Sequence, residues 1–396
     1  MSLNNPSQIE LNKLLNYFQN GELQEAEKLA LSITQNFPDH PFGWKVLGVV
    51  SWQKGRKIES LNANKKAVLL DPQDTESLNN LGNVFKGLGR FEEAEECYRK
   101  SIVWKPDFAD AHYNLGITLK ELGRLNESEA SYRKAIEFKP NFVDAHYNLG
   151  NTLVELGKLE EAETIYRQTI AIKSGHTGAR HLLASLIGET TNCAPRDFVE
   201  KLFDGYAYKF DKALTANLEY KAPKTIFDLL IKKNTDTSLG SVLDLGCGTG
   251  LAGQEIKSYC SYLEGIDLSN SMLEKARKKN IYDKLMHIDI LDYLSTEYLN
   301  FDYFVSTDVF TYIGDLSDVF RLIKSRNKSG GKLAFSTEHT EKESFFLEKT
   351  GRYSHSKAYI ESLCEKFKYS LIHFEKSNLR KEKDNFISGG FYILDF

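Results

Sequence analysis

The sequence predicts two structural classes in one chain. An all-α array of paired helices occupies roughly residues 1–190, and an α/β domain with a mostly parallel sheet occupies 236–396. A linker and a short helical leader over 191–235 join them. Three observations carry this. Gly48, Gly82, Gly116 and Gly150 recur every 34 residues, as do Pro38, Pro72, Pro106 and Pro140. From Val242, a short apolar run broken only by Asp244 leads into Gly246, Gly248 and Gly250, the pattern of a buried parallel strand entering a tight loop. Beyond it, strand-like and helix-like stretches alternate to the end of the chain.

Bulk properties narrow the function. With 396 residues and 41% hydrophobic content, two or three domains with proper cores can form. No apolar run approaches the ~18 residues of a membrane span, and the polar start lacks a signal pattern. A net charge of −4 argues against general nucleic-acid binding, which favours a basic face. Five scattered cysteines without a C-x-x-C pair point to reduced thiols, no metal site and a cytoplasmic protein.

In the first half, Gly21, Gly55, Gly89, Gly123 and Gly157 form a third 34-residue series. Small Ala94, Ser128 and Ala162 face the glycines, Tyr98, Tyr132 and Tyr166 supply bulk, and Pro106 and Pro140 end each second helix. Ala111–Gly116 and Ala145–Gly150 have the same sequence. These marks resemble tetratricopeptide (TPR) repeats. Five units fit, from about Glu10, followed by a capping helix over 176–187. The resemblance implies a concave groove for a protein or peptide. Asn80, Asn114 and Asn148 occupy one equivalent position there, with Asn83 and Asn151 beside them. An amide side chain pairs with a peptide's C=O and N–H regardless of sequence; the alternative is that asparagine merely belongs to the repeat.

In the second half, the strand, glycine loop and following helix end make a nucleotide site, because free N–H groups point out of the helix N-terminus. The glycines are spaced D-x-G-x-G-x-G, not the dinucleotide G-x-G-x-x-G. Asp267 ends the next strand, close to the spacing at which an acid reaches a ribose; the alternative is a helix cap, since Ser269 and Asn270 follow. These residues resemble a class I S-adenosylmethionine-dependent methyltransferase, a Rossmann-like fold of seven strands ending in an antiparallel hairpin. The resemblance implies that Asp244, Gly246, Gly248 and Gly250 shape the cofactor loop and that Asp267 holds the ribose. It also implies that Leu268 and Met272 flank the adenine and that Asp289 and Ile290 meet its edge. Met272 reads equally as core.

The leader from Phe198 to Asp211 resembles that of a methyltransferase subgroup whose members also carry TPR units. Tyr206 and Phe210 are its candidate cofactor covers, or plain helix packing. For acceptor and catalysis the candidates are Asp308, at the tip of strand four, and Arg352 and His355 in a Gly-Arg-Tyr-x-His element that opens a helix at Lys357. An arginine binds a carboxylate or phosphate, and a histidine takes a proton. The expected activity is methyl transfer from S-adenosyl-L-methionine to an acceptor that the array selects. The rival reading is a TPR adaptor whose second domain binds the cofactor without turnover.

Overall fold

A computed structural model describes residues 5–207, 210, 219–233, 238–296, 298–382 and 385–396. It divides into two compact units, Met1–Ser174 and Gly175–Phe396.

The first unit is ten helices in five antiparallel pairs. They are α1 (Gln8–Gln19) with α2 (Leu23–Asn36), α3 (Pro41–Gln53) with α4 (Lys57–Leu70), α5 (Thr75–Gly87) with α6 (Phe91–Trp104), α7 (Ala109–Glu121) with α8 (Leu125–Phe138), and α9 (Val143–Glu155) with α10 (Leu159–Ile172). The glycine between the two helices of each pair has φ of +74° to +77°, a left-handed turn that a side chain would strain. Within the last three pairs the packing is a ring against bare backbone. A Cβ at Gly82, Gly116 or Gly150 would lie 2.6, 2.7 or 2.5 Å from Tyr98, Tyr132 or Tyr166. In the second pair Asn64 takes the tyrosine's place against Gly48. Half-buried carboxylates link successive pairs: Arg124 to Glu95 at 2.7 Å and Lys158 to Glu129 at 2.8 Å, with Arg56 to Glu27 at the start.

The second unit begins with α11 (Thr177–Ile187), α12 (Arg196–Tyr206) and α13 (Ala222–Lys233). The helix expected to cap the array is thus grouped with the α/β unit, and the division falls before residue 190. The reason is its partners: His181 Nε2 bonds the Gly351 carbonyl at 2.8 Å, and Ala184 packs with Ala194, Leu347 and Tyr353.

The sheet follows: β1 (Gly240–Leu245), α14 (Leu251–Ile256), β2 (Cys260–Asp267), α15 (Asn270–Lys279), β3 (Lys284–His287), α16 (Ile290–Leu294), β4 (Tyr303–Ser306) and α17 (Ser317–Arg326). Then come β5 (Lys332–His339), β6 (Phe345–Leu347), β7 (Tyr353–His355), α18 (Lys357–Phe367), β8 (Ser370–Glu382) and β9 (Asn385–Asp395). Five strands run parallel in the order β3-β2-β1-β4-β5; β9 joins β5 antiparallel and β8 pairs with β9. Alternate residues feed two cores. Leu243, Leu245, Tyr392 and Leu394 face one layer, and Val242, Phe391 and Ile393 the other.

Nine strands are present among the described residues, two more than expected. β5 outruns β4: their pairing ends at Phe335, and β7 takes the same edge at Glu338 and His339, with β6 beyond it. The Gly-Arg-Tyr-x-His element is therefore mostly strand, and Ser356, accepting from Tyr359 N–H at 2.9 Å, caps α18.

Candidate active site

Strand order reverses between β1 and β4, and a cavity of about 380 Å³ opens at the carboxyl ends of the strands there. Ligands bind at this point in doubly wound sheets. Gly246 and Gly248 line it. So do Asp267, Leu268 and Met272 from β2 and α15, and Ile288, Asp289 and Ile290 after β3.

Asp267 is the centre of this half. Its Oδ2 accepts from Gly248 N–H and its Oδ1 from Ser269 N–H, both at 2.8 Å. An ionised carboxylate has about four acceptor positions, so two remain for a ligand. Burial pushes its pKa up to about 6 against those two bonds. The adjoining helix is capped separately, by Ser269 Oγ accepting from Met272 N–H at 3.2 Å. Capping therefore does not consume the Asp267 carboxylate. A Cβ at Gly248, where φ is +55°, would meet only Phe210 at 3.9 Å, so the loop leaves an open cradle. Met272 is both core and wall, being 1% exposed yet lining the cavity.

Two expected loop residues stand elsewhere. Gly250 and Asp244 do not line the cavity; both pack against Tyr282. A Cβ at Gly250 would lie 3.0 Å from that ring, and Tyr282 OH donates to Asp244 Oδ2 at 2.6 Å. Asp244 is 1% exposed, its Oδ1 has no partner, and burial raises its pKa to about 7. The motif's first acid and last glycine build the loop from behind.

Asp289 caps α16, its Oδ1 accepting from Leu291 N–H at 2.8 Å, and it also pairs with Arg196 at 3.0 Å. Arg196 was not foreseen. It lies on α12 and reaches Asp292 as well, at 2.6 Å. At the other end of α12, Asp204 accepts from Ser269 Oγ at 2.6 Å. The helix is thus fixed at both ends over the cavity. Its apolar face, Val199, Leu202, Phe203 and Tyr206, lines the opening together with Phe210. Tyr206 and Phe210 stand where covers were expected; Tyr208, Lys209 and 211–218 lie outside the described residues.

The opposite wall carries Asp308, Arg352 and Arg380, with Tyr220 and Tyr312. Asp308 has φ of +60°, a left-handed conformation uncommon for a non-glycine, and its N–H donates to Ser336 Oγ at 2.9 Å. Burial raises its pKa while Arg380, paired with its Oδ2, opposes that. Arg352 Nε donates to Glu338 Oε1 at 2.6 Å, and a second Arg352 nitrogen donates to Glu382 Oε2 at 2.6 Å. Arg380 also bonds Glu338 Oε1.

His355 does not belong to this wall. It is fully buried and off the cavity, with Nδ1 against Thr337 Oγ1 at 2.5 Å and Nε2 against the Ile313 and Gly314 carbonyls at 3.0 and 2.9 Å. Desolvation lowers its pKa to about 4. It braces β7 against Thr337 and the Gly314 carbonyl, away from the cavity where an acceptor would sit.

In the first unit two members of the asparagine row are already bonded. Asn114 donates to Asn79 Oδ1 at 3.1 Å and accepts from Lys86 at 2.8 Å, and Asn148 donates to Tyr113 OH at 3.2 Å. Asn80 is half-buried on α5. Asn83 and Asn151 are tied to the packing tyrosines, accepting from Tyr98 OH at 2.8 Å and Tyr166 OH at 2.7 Å. Lys86, half-buried, donates to Asn114, and desolvation lowers its pKa to about 8.

The fold and site define a helical-repeat protein joined to a doubly wound α/β domain with a nucleotide-type cleft. Residues 236–385 match the family model of a methyltransferase domain; residues 85–123 and 118–157 match that of the TPR repeat, and 143–176 that of the tetratricopeptide repeat. The chain carries tetratricopeptide repeats and a methyltransferase domain. It is 26% identical over 145 residues to a malonyl-[acyl-carrier protein] O-methyltransferase of Bacillus cereus, covering 36% of this chain and 53% of that one. It is 29% identical over 156 residues to an uncharacterized methyltransferase of Schizosaccharomyces pombe, covering 34% and 55%. The chain spans about half the length of these curated relatives. Among solved structures, YrrB, described as a TPR protein with an unusual peptide-binding site, aligns at 20% identity and a TM-score of 0.39, covering 44% of this chain and 91% of that one. Among the described residues no helix is long and apolar enough to cross a membrane.

Proposed function

We propose that the second unit transfers the methyl group of S-adenosyl-L-methionine to an oxygen nucleophile. The observation that carries this is Asp267. It is a buried carboxylate at the tip of β2, oriented by two backbone N–H groups, beside a glycine cradle and a wall of Leu268, Met272 and Ile290. Those residues fit a nucleoside: the acid for ribose hydroxyls, the apolar group for a flat base, and the Gly246–Gly248 backbone for the polar tail. The bound cofactor would supply an activated methyl on a positive sulfur. The protein's part is then to orient the acceptor and exclude water, and positioning is worth up to about 7–11 kcal/mol in well-aligned systems. Relatives described as malonyl-[acyl-carrier protein] and ubiquinone biosynthesis O-methyltransferases favour oxygen as the acceptor atom.

For the array we propose a protein or peptide partner along the face carrying Asn80, Asn114 and Asn148. A peptide backbone bound there would exchange with the present bonds to Asn79, Lys86 and Tyr113.

Calorimetry with S-adenosylhomocysteine tests the core of this reading. Binding that Asp267→Ala abolishes supports it; a chain that ignores the nucleoside refutes it. Binding without labelled methyl transfer to any component of a cell extract would favour the adaptor instead.

A further inference from the structure

We propose that the wall of Arg352, Arg380 and Asp308 is an acceptor subsite for an organic acid with an apolar or aromatic body, and that the acid's own carboxylate is methylated. This rests on the methyltransferase reading above. The first observation is the direction of charge. Both guanidinium groups line the cavity and converge on one oxygen, Glu338 Oε1, so two cations stand side by side. Their counter-acids Glu338 and Glu382 do not line the cavity and stand behind the wall. The one acid on this stretch of wall, Asp308, is already held by Arg380. The surface offered to a ligand therefore carries two arginines against one aspartate, and each guanidinium spends only two of its nitrogens on its carboxylates, leaving N–H donors over. Its side chains are 19% and 7% exposed, so solvent screens them little. A guanidinium face suits a planar carboxylate. Tyr220, Tyr312 and Val309 beside it provide apolar and aromatic surface for the rest of the acid.

The second observation concerns protons. No histidine or lysine lines the cavity among the described residues, His355 is sealed away from it, and the carboxylate on this wall, Asp308, is engaged by Arg380. An alcohol or ammonium acceptor must lose a proton during transfer and gains from a positioned base. A carboxylate needs none. One of its oxygens stays on the guanidinium while a lone pair of the other forms the O–CH3 bond. The S–CH3 bond breaks with its electron pair left on sulfur. The anion and the sulfonium become a neutral ester and a neutral thioether, and no proton moves.

The test uses the full chain saturated with S-adenosylhomocysteine, and phenylacetate and hexanoate as probes against their amides, followed by ligand-observed NMR. The acids should bind roughly ten-fold or more tightly than the amides, the value of a charged hydrogen-bonded contact. Arg352→Gln should erase that preference and Arg352→Lys keep part of it, with S-adenosylhomocysteine affinity unchanged in both even where loss of the Glu338 and Glu382 pairs lowers the thermal midpoint. Amides that bind as well as the acids, or a preference that survives Arg352→Gln, would overturn the subsite. In a second arm, small molecules from extract labelled with methyl-tritiated cofactor should release volatile methanol in base; base-stable label would overturn the ester. Absence of S-adenosylhomocysteine binding removes the methyltransferase reading itself. Binding of that nucleoside without acid selectivity removes only this inference.

Discussion

His355 is the sharpest place to test the physical reasoning. The fold holds it neutral, Nε2–H donating to two carbonyls and Nδ1 accepting from Thr337, and its pKa falls from an ordinary 6.5 to about 4. The unfolded chain therefore takes up a proton below pH 6.5 that the folded chain refuses until about pH 4. The stability linked to this residue is complete above pH 6.5 and is lost as pH falls through that window. At about 1.4 kcal/mol for each pH unit below 6.5, the loss reaches about 3 kcal/mol by pH 4.5. Asp244 and Asp267 act in the opposite sense, because their raised values favour the fold at low pH. The comparison must therefore be wild type against His355→Gln, which keeps a neutral donor and leaves the acids in place. Urea unfolding at pH 7.5 and 4.5 would be followed by circular dichroism and by tryptophan fluorescence. All three tryptophans, Trp44, Trp52 and Trp104, precede Ser174, so fluorescence reports the first unit and the remaining transition reports the second. The acid-induced loss in that transition should be about 3 kcal/mol smaller in the variant. Equal losses would show that His355 titrates normally and that its burial has been misread.

Asp267 must be ionised to accept two hydroxyl groups, so S-adenosylhomocysteine affinity should rise with pH through about 6 and then level off. Asp267→Asn should weaken binding at pH 8 by roughly a hundred-fold and flatten that profile, by calorimetry. Gly150→Ala drives a methyl into Tyr166 and should cost about 1–3 kcal/mol in urea unfolding. Gly157→Ala meets nothing within 4 Å and should cost about 1–2 kcal/mol through its positive φ alone. Tyr282→Phe removes the bond to a buried carboxylate and should lower the second unit's stability by about 1–3 kcal/mol at pH 8, more than at pH 5, where Asp244 is protonated.

The features legible in the sequence were local or periodic. The 34-residue marks specify Gly116 against Tyr132 without knowledge of any other contact, because each repeat repeats its neighbour's packing. The glycine loop and Asp267 lie close together in the chain, and a strand–loop–helix unit places them without long-range help. The opposite wall was harder. Arg352 and Asp308 were visible as chemistry, but Arg380 and Glu338, which hold them, sit on β8 and β5 within ordinary strand sequence. Only the register of β5 with β9 and β9 with β8 brings them together. β6 and β7 are three-residue strands that exist because β5 outruns β4, a length mismatch with no sequence mark. His355 shows the converse limit. Residue type suggested a proton carrier, while burial, which depends on the whole fold, made it a strut.

The segment from Thr177 to Ala194 bears on how the chain can be dissected. His181 holds the Gly351 carbonyl, Thr191 Oγ1 meets Tyr353 OH at 2.5 Å, and the Asn192 carbonyl receives the Gly314 and Asp315 amides. A fragment trimmed at residue 191 would discard α11 and leave the hairpin that presents Arg352 without its backing, however intact the glycine loop. It would be expected to grip the nucleoside yet mishandle the acceptor. Cut at Gly175, the same half keeps its brace, so the place of the scissors decides whether the isolated piece reports chemistry or only affinity.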